Sequence, residues 1–371
     1  LRSRDQSVPP RLSKLVCLTV DRTLQGRPNN LVGLTPAPES IAFLQYTSGT
    51  TLRPRGVKIT HGNLAHNLEA LQATFRTDPS SRFVSWLPFF HDMGLVGMVL
   101  HPVFVGASCY FLDPISFLQR PARWLETISK YRGTASGGPN FAYELCCRRI
   151  RQDELAAYDL SSWDVAFDGA EPVRPGTIAR FSDKFAAAGF RRSSFFPCYG
   201  LAESTLLVSA KPAHTLPLST SFSAGAMQGG EARPRSDLES SVDLVSCGQP
   251  AHGVIVRIVD SVDNRALPTG RLGEIWVASN SVSEGYYRST LASEDTFDQR
   301  LSSEPGKRFL RTGDRGFFFD GQLYISGRAK NTIIIRGRNY HPEDLEGTIG
   351  TLSDAFEANG TALFGIENDE D

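Results

Sequence analysis

The sequence predicts an α/β fold with largely parallel strands, followed by a smaller β-rich unit. Three observations carry that prediction. From Ile41 onward, strand-like apolar runs alternate with helix-like segments, the pattern of successive βαβ units. After residue 245 the alternation gives way to short β-type segments joined by tight turns. The chain has 371 residues, 40% of them apolar, enough to bury the cores of two or three ordinary domains.

Residues 1–40 are rich in Pro, Arg and Ser and read as a connecting region with one short strand candidate, Leu15 to Val20. The repeating pattern opens with the strand Ile41 to Tyr46, and Arg82 to Leu87, Ala107 to Leu112 and Val165 to Phe167 follow. Helical patterns run over Asn63 to Phe75, Pro121 to Lys130, Asn140 to Ile150 and Arg174 to Ala188. Asn63 suits the N-cap of the first, since its side chain can accept from the free N–H groups of a first turn. Lys211 to Val242 is rich in Ser, Gly, Pro and Ala without periodicity, and reads as an insertion or long loop. The β-rich unit offers Val254 to Val259, Gly273 to Ala278, Phe317 to Phe319, Gln322 to Ser326 and Thr332 to Ile335. Asp320-Gly321 is a hairpin signal between two of these. No repeat of fixed period and no coiled coil is present.

Composition excludes several classes of function. The formal net charge is −1 with a pI near 6.7, and the basic residues are scattered, so no nucleic-acid footprint is expected. The six cysteines lack CxxC or Cys/His ligand spacing and lie mostly in apolar runs, which reads as reduced, buried thiols and favours the cytoplasm. The longest apolar stretches, such as Met93 to Val105, are interrupted by His101 and Pro102 and are too short to span a bilayer. A start at Leu1 without Met suggests an excerpt from a longer chain.

One loop stands out chemically. Thr47-Ser48-Gly49-Thr50-Thr51-Leu52-Arg53-Pro54-Arg55-Gly56 sits between the run ending at Tyr46 and the strand-like Val57 to Thr60. Its hydroxyls, glycine N–H groups and arginines suit phosphate. The GxxxxGK[ST] spacing is absent, so a kinase or GTPase reading does not follow. Alone, the composition equally fits a plain turn. Glu203, after an aromatic and a glycine, is either a Mg²⁺ ligand or a helix cap. Tyr199 either stacks on a purine or fills a core. Asp314 in Arg311-Thr312-Gly313-Asp314 either accepts from ribose hydroxyls or marks a turn.

Taken with Tyr199-Gly200-Leu201-Ala202-Glu203, Arg311-Thr312-Gly313-Asp314 and Gly327-Arg328-Ala329-Lys330, the loop falls into a familiar order. The chain resembles the adenylate-forming superfamily of acyl-CoA synthetases, adenylation domains and luciferases. Four segments resemble the fatty acyl-AMP ligases in particular: Phe43 to Gly49, Trp86 to Leu95, Gly137 to Leu145 and Ile333 to Asn339. The resemblance covers residues 41 to 349.

The resemblance implies the large N-terminal domain of an adenylate-forming enzyme, over residues 1–326. Within it, 41–245 would form the α/β core and 246–326 the β-rich subdomain, with 327–371 as the start of a C-terminal α+β domain. It implies that ATP activates a medium- or long-chain fatty acid to acyl-AMP, with pyrophosphate released and the acyl group passed to the phosphopantetheine thiol of an acyl carrier protein. Thr47, Ser48, Gly49, Thr50, Thr51 and Arg55 would hold phosphates. Asp168, Gly169, Ala170 and Glu171 would form the adenine loop, and Tyr199, Gly200, Leu201 and Ala202 would complete the nucleotide site. Asp314 would bind ribose, Arg328 the ribose or α-phosphate, and Glu203 Mg²⁺. His91 would border the acyl pocket and orient the reacting carboxylate. Trp86, Phe90, Met93, Gly94, Gly138 and Phe141 would line that pocket, together with Phe89 and Tyr143.

The span from Glu203 to Ser246 exceeds forty residues, longer than ordinary acyl-CoA synthetases carry there. The resemblance implies an inserted element in this domain that disfavours CoA, and this stretch is where it is expected. Leu52 stands where similar enzymes usually have Gly, Arg55 near a usual Lys, and Asn331 for the Asp after Lys330. The adenylating lysine of the family's small domain has no match here. A long-chain acyl-CoA synthetase and a catalytically weak acyl-adenylate-binding protein are the alternatives.

Overall fold

The computed structural model describes residues 35–47, 54–260 and 262–328, the strands Ile333–Ile335 and Arg338–Tyr340, and the single positions Ile349 and Leu363. Contacts divide the chain into two units, Leu1–Ala37 and Pro38–Asp371, and every described strand and helix belongs to the second. The strand candidate Leu15 to Val20 lies outside the described residues.

Strands β1 (Ile41–Thr47) and β2 (Arg55–Thr60) pair antiparallel as a separate two-stranded ribbon. The first strand of the expected alternation therefore stands outside the parallel sheet, because the link from Thr47 to Arg55 is too short for a crossover. Helix α1 (His61–Phe75) follows β2 without a break. Its N-cap is Thr60, not Asn63. Thr60 keeps the extended backbone of β2, its hydroxyl accepts from Asn63 N–H, and the Asn63 side chain accepts from Thr60 N–H, each at 3.1 Å. Asn63 thus holds the third helical position of a capping box. Its amide also donates to Asn280 O at 2.8 Å and Val282 O at 3.0 Å.

The main sheet is parallel at its centre. Strands β3 (Arg82–Ser85), β4 (Ser108–Phe111), β5 (Ala135–Gly138), β6 (Val165–Asp168) and β7 (Phe195–Gly200) lie in the order β4-β3-β5-β6-β7. Strand β8 (Leu207–Ala210) adds antiparallel to β7. Both faces are covered, as a parallel sheet requires. On one face Phe75 of α1 stacks on Phe167 of β6 with ring centroids 6.2 Å apart. On the other, Tyr143, Phe181 and Phe195 pack together from the helices Asn140–Arg149 and Pro175–Phe185 and from β7. The run after Asp92 forms successive helical segments, Asp92–Gly94, Leu95–Leu100 and His101–Val105, the middle one a π-helix. Among the described residues no helix is long and apolar enough to cross a membrane.

The stretch Lys211 to Val242, expected as an insertion or long loop, holds regular structure. Strands β9 (Ser219–Ser223) and β10 (Ser241–Val245) pair antiparallel, and Ser223 caps the short helix Ala224–Gln228 between them. Phe222 anchors this hairpin through edge contacts to Phe317 and Tyr324, with centroids 5.0 and 5.2 Å away. Strand β11 (Gln249–Pro250) then pairs with β8 and completes the seven-stranded sheet.

The β-rich unit is a second, antiparallel sheet. It contains β12 (Ile255–Asp260), β13 (Arg265–Ala266), β14 (Gly273–Ala278), β15 (Gln299–Leu301), the long β16 (Glu304–Phe319) and β17 (Gln322–Arg328). Phe317 to Phe319 is the end of β16, not a strand of its own. Asp320 and Gly321 join β16 to β17 with φ of 48° and 72°, the positive pair of a type I′ turn. Beyond β17, Ile333–Ile335 pairs antiparallel with Arg338–Tyr340.

Candidate functional site

A cavity of about 890 Å³ opens where the carboxyl ends of β6 and β7 meet the β1/β2 ribbon and the middle of β16. In open α/β sheets the crevice beyond the strand ends is where ligands bind. Thirteen residues expected at the site line it: Thr47, Arg55, Phe90, His91, Met93, Ala170, Tyr199, Gly200, Leu201, Ala202, Glu203, Asp314 and Arg328.

The polar part centres on Asp314. Its carboxylate accepts from the Tyr199 hydroxyl at 2.7 Å and from Arg328 Nε at 3.1 Å. Burial raises the Asp314 pKa above the ordinary carboxylate value, while the tyrosine and arginine oppose that rise. Burial also holds Tyr199 far above the usual phenol value, and the Asp314 charge adds to this. Glu203 accepts from the Tyr286 hydroxyl at 2.9 Å, and Arg55 lies 5.2 Å from the centre of the Tyr286 ring. Burial raises the Glu203 pKa as well. His91 Nδ1 sits 2.7 Å from Asp92 Oδ1, and this hydrogen bond orients the ring and raises the imidazole pKa.

The inner part is apolar. Leu71 and Phe75 of α1, Phe83 of β3, Met98 of the π-helix and Phe167 of β6 line it. None of these five was expected at the site. Their spacing in the sequence is that of any buried face, so periodicity alone does not separate a cavity wall from a solid core.

Nine expected residues among those described lie outside this lining. Trp86 stacks on Phe117 at 4.0 Å and meets Phe141 edge-on at 5.9 Å. Gly138 gives that indole its space, because a Cβ there would stand 2.6 Å from Trp86 Cζ2. Gly94 likewise lies against the backbone, its would-be Cβ 2.1 Å from Pro88 O. Trp86, Gly94, Gly138 and Phe141 are therefore packing residues beside the cavity, not its wall. Phe89 and Tyr143 are outside it too: Phe89 packs on Phe111, and the buried Tyr143 donates to Phe167 O. Of the loop expected to hold adenine, only Ala170 lines the cavity. Gly169 abuts Cys198, Glu171 accepts from Phe141 N–H, and Asp168 is fully buried. Ser48, Gly49, Thr50 and Thr51 lie outside the described residues.

Glu203 is the one expected metal ligand. Among the described residues no group of three His, Cys, Asp or Glu side chains could by itself hold a metal ion. Glu203 lines the cavity, and the nearby Asp92 charge raises its pKa further. An oxygen-only donor set of this kind suits Mg²⁺, which takes one or two carboxylates and completes its shell with phosphates and water.

Comparison with known proteins is consistent in direction. A family model described as AMP-binding enzyme matches residues 7–287. A medium-chain-fatty-acid–acyl-carrier-protein ligase of Teredinibacter turnerae is 44% identical over 336 residues, covering 88% of this chain and 52% of the relative. A long-chain-fatty-acid–AMP ligase of Mycobacterium tuberculosis is 38% identical over 355 residues, covering 93% of this chain and 60% of the relative. The crystal structure of a fatty acyl-adenylate ligase from L. pneumophila, in complex with acyl adenylate and pyrophosphate, superposes with a TM-score of 0.77 at 41% identity. That match covers 86% of this chain and 56% of the other. The chain spans about half the length of the curated relatives it matches.

Proposed function

We propose that this chain, which belongs to the AMP-binding enzyme family, activates a medium- or long-chain fatty acid as its adenylate. In that reaction a carboxylate oxygen bonds to the α-phosphorus of ATP as the bond to pyrophosphate breaks. The acyl group then passes to the phosphopantetheine thiol of an acyl carrier protein. The observation that carries this reading is the two-part character of one cavity. The polar cluster of Asp314, Tyr199 and Arg328 shares it with the apolar wall of Leu71, Phe75, Phe83, Met98 and Phe167. An acyl-adenylate needs both halves in one space.

In this reading Asp314 accepts from the ribose hydroxyls and Tyr199 flanks the base. Arg328 meets the α-phosphate, where a guanidinium fork suits the geometry. Thr47 and Arg55, at the ends of β1 and β2, border the phosphates, and the glycine- and hydroxyl-rich segment between them completes the cradle. His91, fixed by Asp92, orients the carboxylate at the junction of the polar and apolar parts. Glu203 would hold Mg²⁺, which supplies charge neutralisation on the phosphates. Residues 41–245 are read as the adenylating α/β core, 246–326 as its β-rich subdomain and 327–371 as the start of a further domain.

The test is thermal unfolding with AMP, with a non-hydrolysable dodecanoyl-AMP analogue and with an aminoacyl-AMP analogue. Ligand at about a hundred times its dissociation constant adds roughly 2.7 kcal/mol to stability. The dodecanoyl compound should shift the midpoint well beyond the other two at equal concentration. Equal shifts for all three, or a larger one for the aminoacyl compound, would overturn the fatty-acyl reading.

A further inference from the structure

Strand β16 does not run regularly along β14. Gly273 faces Gly316 and Glu274 faces Arg315, but the next aligned pair is Trp276 with Arg311. Ile275 alone therefore stands opposite Thr312, Gly313 and Asp314, three residues against one. Along its other edge β16 pairs Asp314 directly with Arg328. A bulge of this kind re-aims side chains and is common beside functional sites. Here all of Arg311, Thr312, Gly313 and Asp314 line the cavity, which strict two-residue alternation would not allow.

Two side chains hold the bulge. The Thr312 hydroxyl donates to Ile275 O at 2.7 Å and accepts from Asp314 N–H at 3.0 Å. It thereby supplies hydrogen bonds that the interrupted ladder does not. Just before the bulge, Arg311 Nε reaches both oxygens of Glu274 at 3.2 and 3.0 Å, and Nη2 lies 2.9 Å from one of them. The Trp276 indole N–H donates to the same carboxylate at 3.1 Å. Glu274 is buried, at 6% exposure, so its partners are held in a low-dielectric setting where such bonds are strong.

We infer that Thr312 and Glu274 are positioning residues for nucleotide binding: they fix the bulge that turns Asp314 into the cavity. This rests on the reading of Asp314 as the ribose acceptor. Each acts through another group. Thr312 sets the backbone that presents Asp314, and Glu274 anchors the strand at Arg311.

The experiment is calorimetric titration of the full-length protein and its Asp314→Ala, Thr312→Val, Thr312→Ser and Glu274→Gln variants with AMP and with 2′,3′-dideoxy-AMP. The dideoxy compound lacks the hydroxyls that Asp314 would bind, so lost positioning lowers affinity for AMP alone. Thr312→Val should weaken AMP about ten-fold and the dideoxy compound less than about two-fold, as expected for loss of one well-placed hydrogen bond. Thr312→Ser, which keeps the hydroxyl, should restore the preference, and Glu274→Gln should erode it in the same direction. If Thr312→Val does not fold, Glu274→Gln gives the same comparison. Equal weakening of both ligands, or of neither, in a protein where Asp314→Ala selectively weakens AMP, overturns the positioning role. If Asp314→Ala itself leaves the preference for AMP intact, the ribose reading fails and this inference falls with it.

Discussion

The end of β6 and the bulge of β16 each bury an aspartate, and they treat it in opposite ways. Asp314 faces the cavity and is held by Tyr199 and Arg328. Asp168 is fully buried, and neither of its carboxylate oxygens has a hydrogen-bond partner among the described residues. Burial raises both carboxyls. At Asp314 the tyrosine and arginine counter it, whereas at Asp168 the charges of Glu171 and Glu144 add to it. Both residues sit in segments that resemble nucleotide-binding motifs, yet only one lines the cavity. In β6 the alternation of a regular strand decides the matter: Phe167 faces the cavity, so its neighbour Asp168 faces the opposite side. In β16 the alternation is broken, and the aspartate comes into the site because of that break.

Breaking the regular wall should have the largest effect. Phe75 stacks on Phe167 and meets Phe196 edge-on at 5.2 Å, so it belongs to the cavity wall and to the core beneath it. Phe75→Ala should cost about 3–5 kcal/mol by urea unfolding. A loss below about 1 kcal/mol would mean that this wall relaxes, and is not the close-packed counterpart of the bulge. The irregular wall answers to a smaller change. Gly313 has φ of +74°, and a Cβ added there meets nothing within 4 Å. The cost of Gly313→Ala is therefore conformational, about 1–2 kcal/mol for a left-handed alanine. It should appear as lower stability or as weaker AMP binding while the bulge flattens. A variant unchanged in both would show that the backbone at Gly313 does not hold the bulge.

The sequence was most legible where one period ran uninterrupted. Gly273–Ala278 has the expected bounds, and the turn at Asp320-Gly321 has the backbone that its residue types favour. The start of α1 was misread because strand and helix adjoin, so the cap falls on a residue of β2. The hairpin of β9 and β10 was missed because its strands are mostly Ser, Thr and Val, with Phe222 as the buried anchor. Strand β16 is read only at its end, Phe317 to Phe319, because its polar centre holds the bulge. At the cavity, residues at strand ends and Asp314 after Thr312-Gly313 were legible by type and order as part of its lining. The apolar wall was not, since Leu71 and Phe75 look the same in sequence whether they face a cavity or a solid core. The resemblance puts Trp86, Gly138 and Phe141 in an acyl pocket, whereas in the structure they pack on one another and on Phe117, outside the cavity lining.

The two aspartates also separate by pH, with a smaller effect per unit. The Asp168 carboxyl is raised by burial, so the folded state holds its proton more tightly than the unfolded chain does. Its stabilising contribution is fully present below the ordinary carboxylate pKa and is lost as pH rises through the higher folded value. One such proton sets a slope of at most about 1.4 kcal/mol per pH unit. Asp168→Asn removes the titration while keeping the shape, so urea midpoints followed from about pH 5 to about pH 8 should fall less steeply in the variant. Glu203, raised by burial too, leaves a background decline in both proteins, and the difference between the curves isolates Asp168. Parallel curves would mean that Asp168 is as ionised in the folded protein as in the unfolded chain over that range, and burial without a partner would then not set its charge. A shallower curve in the variant would make Asp168 a neutral acid in the core, in contrast to Asp314, where the tyrosine and arginine counter the rise that burial causes.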